Sequence, residues 1–232
     1  MLNRVFSKLW VLKYILPTIY FNFHYLPFRQ AIYLPIFLYK PNFIKTKGRI
    51  VISGGVRPGM IVLGRYFVSI FPNNGIVIDN SGVIEFHGRC AIGNNSYLSV
   101  GSKGHLIFGD NFACSTTLKL VCHWNICFGY NVHVGWDNLF MDTDFHKMKY
   151  VDGRPSPKSY GSIYIDDECW LGSKNIVMKN TKLPKQCTVA TNSMLNKKYD
   201  CPKKSLLAGQ PAKVIKSGIY RDFEDDIIEY GN

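Results

Sequence analysis

The first third of the chain has no acidic residue. Ten lysines and arginines lie between Met1 and Ile78, and Asp79 is the first carboxylate. No run of 18 uninterrupted apolar residues occurs, which excludes a conventional transmembrane helix. The seven cysteines include no Cys-X-X-Cys pair and are odd in number, so no disulfide framework is indicated. A secretory cleavage pattern is also lacking, because Lys13, Pro17, Asn22 and His24 break the N-terminal apolar stretch. These absences lead us to expect a cytoplasmic protein with buried free thiols. Hydrophobic residues at 47% and charged residues at 19% exclude a disordered chain. The formal net charge of +12 would attract nucleic acid, anionic lipid or a phosphorylated ligand. No RNA- or DNA-binding signature accompanies it, so nucleic acid is not an expected partner.

Residues 1–48 are rich in aromatics, including Trp10, Tyr14, Tyr20, Phe21, Phe23, Tyr25 and Phe28, and carry Pro17, Pro27, Pro35 and Pro41. Prolines at that spacing argue against one long helix, since each removes a donor and clashes with the preceding turn. We expect a cap on the open end of the following domain. An aromatic, basic, acid-free segment also suits a peripheral contact, through residues 1–40, with the inner face of the plasma membrane.

The strongest pattern runs from Ile165 in steps of six: Leu171, Val177, Leu183, Val189 and Leu195 follow. Two residues before each step stand Ile163, Cys169, Asn175, Thr181, Cys187 and Ser193, most of them small or thiol-bearing. A period of six matches neither an α-helix nor a flat strand. It matches a parallel β-helix whose six-residue units each form one short strand and one corner. The aliphatic fills the prism, and the small residue fits beside it near the corner. Asn175 departs from the pattern and needs a polar neighbour.

The same period appears upstream at Ile92 and Leu98, then at Phe128, Val134 and Phe140, in units such as "IGNNSY", "FGDNFA", "FGYNVH" and "VGWDNL". From Phe140 to Ile165 the register slips by one, as a looped-out insertion would make it do. "LFMDTDFHKM" stands where that loop leaves, and residues that do chemistry are often carried on such loops. The expected organisation is a cap over 1–48, a solenoid over 49–205 with a loop at 143–162, and a C-terminal strand and helix over 206–232, the helix being "RDFEDDIIEY".

"CWLGSKNIV", "VATNSML" and "AGQPAKVIK" resemble, in order and spacing, segments of the left-handed β-helix, hexapeptide-repeat acyltransferases. "DTDFH" resembles the segment bearing the catalytic histidine in members that O-acetylate sugars. The resemblance covers roughly residues 50–218. It implies an all-β, left-handed parallel β-helix that assembles as a homotrimer with active sites between neighbouring coils. Acetyl-CoA is the implied acyl donor, and no metal is required. By the same resemblance His146 is the general base, Trp170 lies beside the thioester arm, and the backbone N–H of Ser173 faces the thioester carbonyl. Thr191 touches the pantetheine, while Lys197, Lys213 and Lys216 lie near the nucleotide phosphates. The family's "VGAGS" glycines are Ala190 and Asn192 here, and "GNPAK" is "GQPAK".

A sugar hydroxyl becomes a competent nucleophile when a base removes its proton in the transition state, and histidine titrates near neutrality. A carboxylate on the other ring nitrogen would fix the tautomer, and Asp142 and Asp144 are the local choices. Alternation along an extended strand would put both on the side of His146. The implied acceptor is a small-molecule or lipid-linked sugar of a surface polysaccharide. Rival readings are an N-acetyltransferase on a nucleotide-linked amino sugar, an acyl-carrier-protein donor, and a non-catalytic membrane- or nucleic-acid-binding module. A zinc enzyme using His123, His133, His146, Cys122 and Cys127 is a further rival, disfavoured by the spacing of its histidines.

Overall fold

The computed structural model describes residues 2–224, with side chains from Tyr14 onward. Three sheets of parallel strands form the walls of a prism, and the chain visits them in turn. Sheet A begins at Ile36–Leu38, sheet B at Pro41–Thr46 and sheet C at Arg49–Ile52. An antiparallel hairpin, Ser205–Gly209 with Ala212–Ser217, ends sheet A. The fold is the left-handed parallel β-helix. Its first coil starts at Ile36, inside the segment expected to be cap. Of the expected C-terminal helix, residues 221–224 are irregular and the remainder lies outside the described residues.

The six-residue clock is the wall order itself. Ile165, Leu171 and Val177 sit on sheets C, A and B, and Leu183, Val189 and Leu195 repeat that order. All six are buried, and so are Cys169, Thr181, Cys187 and Ser193 near the corners. Upstream, larger residues fill the interior: the rings of Phe86, Phe108 and Phe128 stack at 5.3 and 5.5 Å. The corner between sheets A and B is turned by residues in the left-handed region, Asn95, Thr117, Asp137, Lys174 and Asn192. Asparagine tolerates that conformation better than most residues, which explains its recurrence in the repeat units.

Asn175 belongs to a buried polar ladder inside this corner. Its backbone N–H donates to Asn138 Oδ1 at 3.0 Å, and its Oδ1 accepts the Ser193 N–H at 2.7 Å. Its Nδ2 donates to the Gly172 carbonyl at 2.8 Å. The first two bonds cross to the neighbouring coils and the third closes the corner locally, so the polar residue locks the stacking instead of opposing it.

The N-terminal segment corrects the expectation drawn from proline. A single helix, α1 (Leu2–Tyr25), runs through Pro17, and a short helix, α2 (Phe28–Ala31), follows. Tertiary bonds outweigh the donor that Pro17 lacks. Asn22 donates to the Ile36 carbonyl at 2.7 Å and accepts its N–H at 3.1 Å, while Thr18 Oγ1 accepts the Leu38 N–H at 3.1 Å. With Phe21 fully buried beneath it, α1 thereby satisfies the otherwise open edge of the first strand of sheet A.

Candidate active site

The insertion leaves sheet B after Leu139–Met141 and rejoins sheet C at Ile163–Ile165. At its root Asp142 is fully buried, and its two oxygens accept the backbone N–H groups of His123 and Trp124 at 2.8 Å each. This carboxylate ties the B–C corner of one coil to the next. Phe145 then adopts φ 60°, with its N–H on Thr143 Oγ1 at 3.0 Å, and the His146 N–H returns to the Asp144 carbonyl at 2.7 Å. The chain is therefore a tight turn here, and strand alternation does not apply.

That turn separates the three side chains expected to act together. Among the described residues no side-chain hydrogen bond reaches the His146 ring, which is exposed. Asp144 instead pairs with Lys179 of the following coil, Oδ2 to Nζ at 2.6 Å, and the same ammonium donates to the Lys158 carbonyl at 2.7 Å. Lys179 thus holds both limbs of the loop. Aromatics surround the root: Phe145 meets His123 edge-on at 4.9 Å, and Trp124 lies 4.7 Å from Tyr160.

The other expected residues lie elsewhere on the prism. Trp170, 36% exposed, is on sheet A between His133 and Thr188. Ser173 occupies the A–B corner, where its Oγ accepts the Trp136 N–H at 3.2 Å and its carbonyl accepts the Asn192 N–H at 2.9 Å. Thr191 is stacked on the same corner: a Cβ added to Gly172 would stand 3.0 Å from its nitrogen and its hydroxyl. Gly172 therefore permits the close approach of successive coils. Over sheet A, Arg221 lies 5.2 Å above the Trp170 ring, and Phe223 is 4.6 Å from His133. Lys213 and Lys216 are exposed on the second strand of the hairpin, and Lys197 follows the last strand of sheet B, 5.6 Å from the Tyr199 ring.

Two groups result. His146 is at the B–C corner, whereas Trp170, Ser173 and Thr191 are on sheet A and the A–B corner, with sheet B between them. The residues of the zinc reading are divided as well, since His133 lies on sheet A and His123 and His146 at the B–C corner. Burial pushes the thiols of Cys90, Cys122 and Cys169 well up, and those of Cys114 and Cys187 up to about 12. None of these five is a thiolate at neutral pH. Lys179 had no signal in the sequence, because one lysine in a basic chain is unremarkable until the coil stacking sets it beside Asp144.

No family model matches the chain. Curated relatives include a putative lipopolysaccharide biosynthesis O-acetyl transferase, WbbJ, of Escherichia coli K12, 23% identical over 60% of this chain and 74% of its own length. A galactoside O-acetyltransferase of Lactococcus lactis is 28% identical over 60% of this chain and 66% of its own. An uncharacterised 24.8 kDa protein from the cps region of Klebsiella pneumoniae is 27% identical over 68% of this chain and 70% of its own. Among solved structures, the polySia-specific acetyltransferase NeuO superimposes with a TM-score of 0.54 at 17% identity, covering 82% of this chain and 92% of that one. Hexapeptide clock, three-walled solenoid and relatives agree: the chain has the left-handed β-helix fold and resembles the hexapeptide-repeat acyltransferases.

Proposed function

We propose that the protein moves an acetyl group from acetyl-CoA to a sugar hydroxyl, in a surface polysaccharide or its lipid-linked precursor. The names of the relatives support the acceptor class: two are O-acetyl transferases of lipopolysaccharide or galactoside, and a third is encoded in a cps region. The observation that carries the chemistry is the exposed imidazole of His146, presented on the insertion at a corner braced by Asp142 and Lys179.

In this reading the acceptor hydroxyl attacks the thioester carbonyl as its proton passes to His146, a step worth about 10²–10⁴-fold. The carbon–sulfur bond breaks, and the imidazolium returns the proton to the leaving thiolate. The oxyanion is met by the backbone N–H of Ser173, as a preorganised donor. Trp170 and Thr191 flank the thioester arm, and Lys197 and Lys213 face the phosphates. Attack is direct, without an acyl-enzyme, in keeping with the raised thiols. Asp144 and Lys179 position the loop and leave the ring to be oriented by the bound substrates.

His146 and the Trp170–Ser173–Thr191 group lie at different corners of one prism, so a complete site takes one group from each of two copies. A homotrimer with closed symmetry supplies three such sites. Thiol release from acetyl-CoA against a panel of activated sugars, with wild type beside His146→Ala, tests the reading. The expected result is turnover with a hydroxyl acceptor that the variant loses. Preference for an amino sugar, or normal turnover by the variant, would overturn it.

A further inference from the structure

A surface helix on a globular protein ordinarily turns charged or polar residues outward. On α1 the inward positions are Thr18, Phe21 and Asn22, and the outward ones are Ile15, Leu16, Ile19, Tyr20 and Phe23. Leu16 is 70% exposed. The face continues into α2, where Phe28 is 71% exposed and its ring stands 6.1 Å from that of Phe23. A groove of about 340 Å³, lined by Tyr14, Ile15, Leu34 and Phe37, opens beside it. Contiguous exposed apolar surface of this kind marks an interaction site.

The charge of the same segment indicates what covers it. The α1 sequence carries Arg4, Lys8 and Lys13, Arg29 is exposed beside Phe28 on α2, and no carboxylate precedes Asp79. Two copies meeting face to face here would bring like charges together with no acid to pair them. Anionic lipid headgroups offer the complement, with acyl chains beneath for the apolar face. Among the described residues no helix is long and apolar enough to cross a bilayer. The outward apolar row with basic residues beside it suits a helix lying in the interface. Tyrosines such as Tyr20 suit that depth, with a buried ring and a wet hydroxyl.

We propose that the outward face of α1 and α2 docks the protein on an anionic phospholipid bilayer. The solenoid would then project from the membrane with its N-terminal end against it. This docking stands independently of the acetyl-transfer reading, because none of the residues assigned to that chemistry takes part.

The test is cosedimentation of the full chain with vesicles of zwitterionic lipid alone and of zwitterionic lipid with 30% anionic phospholipid, roughly the charge range over which such binding responds. The expected result is binding to the anionic vesicles that weakens at high salt, with little on the zwitterionic ones. Leu16→Glu with Phe23→Glu should lower binding at least about tenfold, and Arg29→Glu should lower it on anionic vesicles only. These side chains are exposed, so circular dichroism and sedimentation velocity of the variants should match wild type. Failure of the wild-type chain to bind anionic vesicles overturns the proposal. Unchanged binding by the double variant does so too. A double variant that loses its oligomeric state, beside a wild type that ignores vesicles, would reassign the face to self-contact.

Discussion

Lys179 Nζ stands 2.6 Å from Asp144 Oδ2, and the pair joins the outgoing limb of the insertion to the next coil of sheet B. The same nitrogen holds the returning limb through the Lys158 carbonyl at 2.7 Å. One ammonium therefore sets the frame in which His146 is presented. Lys179→Ala should lower kcat about tenfold by loosening that frame, because small displacements of a reacting group are expensive. KM for acetyl-CoA should change little. Hydrogen exchange over residues 143–162 should speed up, and Lys179→Arg should recover much of both. An alanine variant with unaltered exchange and kcat would exclude this role.

His146 and Asp142 should separate cleanly into chemistry and scaffold. His146→Ala should lose about 10²–10⁴ in kcat, since in the proposed mechanism it removes the base. Its stability should stay within about 0.5 kcal/mol of wild type, because the ring is exposed. Asp142→Asn sets an amide against one of two backbone N–H donors in a buried corner, and should destabilise by about 1–3 kcal/mol. Its folded fraction should keep the wild-type pH–rate profile. A displaced pH profile in Asp142→Asn would return this residue to orienting the imidazole.

Co-expression tests the site between copies. Thr191 is exposed at the A–B corner, so Thr191→Trp blocks that corner without touching the core. Alone, Thr191→Trp and His146→Ala should each be nearly inactive. In randomly mixed assemblies of the proposed trimer, roughly a quarter of the interfaces should pair an intact histidine with an intact corner. Recovery of about that fraction of activity is expected, and no recovery would put the whole site on one copy.

How far the sequence carries depends on whether local or tertiary forces decide. The clock from Ile165 to Leu195 is legible because each wall of the prism takes one six-residue unit and needs one aliphatic. The coils from Ile36 are harder to read, because the segment between Ile61–Arg65 and Ile76–Asn80 interrupts the step and aromatics such as Phe86 and Phe108 replace aliphatics. Pro17 misleads because its local penalty is met by Asn22 and Thr18 bonding a strand that no local rule relates to the helix. At the site, alternation fails at Phe145, a bulky residue in the left-handed region with no sequence signature for it. The partner of Asp144 comes from the next coil, and only the stacking register reveals it.

Asn175 gives a direct measure of the polar ladder. Leucine there has similar volume but would leave the Ser193 N–H without its acceptor and the Gly172 carbonyl without the Nδ2 donor, in a dry corner. The expected loss for Asn175→Leu is about 2–4 kcal/mol, read as a Tm lower by about 2–4 °C for each kcal/mol. Asn175→Asp should be similarly poor, since a buried carboxylate would face the Gly172 carbonyl that Nδ2 now donates to. A leucine variant as stable as wild type would show that packing alone holds the corner.

Glu85 supplies a pH-dependent contribution whose sign is fixed. Its Oε1 meets His87 Nε2 at 2.7 Å and its Oε2 meets His105 Nε2 at 2.9 Å, with Ser53 Oγ donating at 3.2 Å. The His87 hydrogen bond is the main cause that lowers its pKa below the usual 4.5; partial burial opposes it, and the His105 bond assists. A carboxylate with a lowered folded-state pKa stabilises the fold above its unfolded value, and that contribution fades as pH falls through the folded one. Glu85→Gln should therefore cost less than about 1 kcal/mol near neutrality, because the cluster is partly solvated. Thermal melts of the two proteins should converge as pH drops below 4.5. A difference that stayed constant down to full protonation would mean that shape, and not charge, sets the value of this cluster.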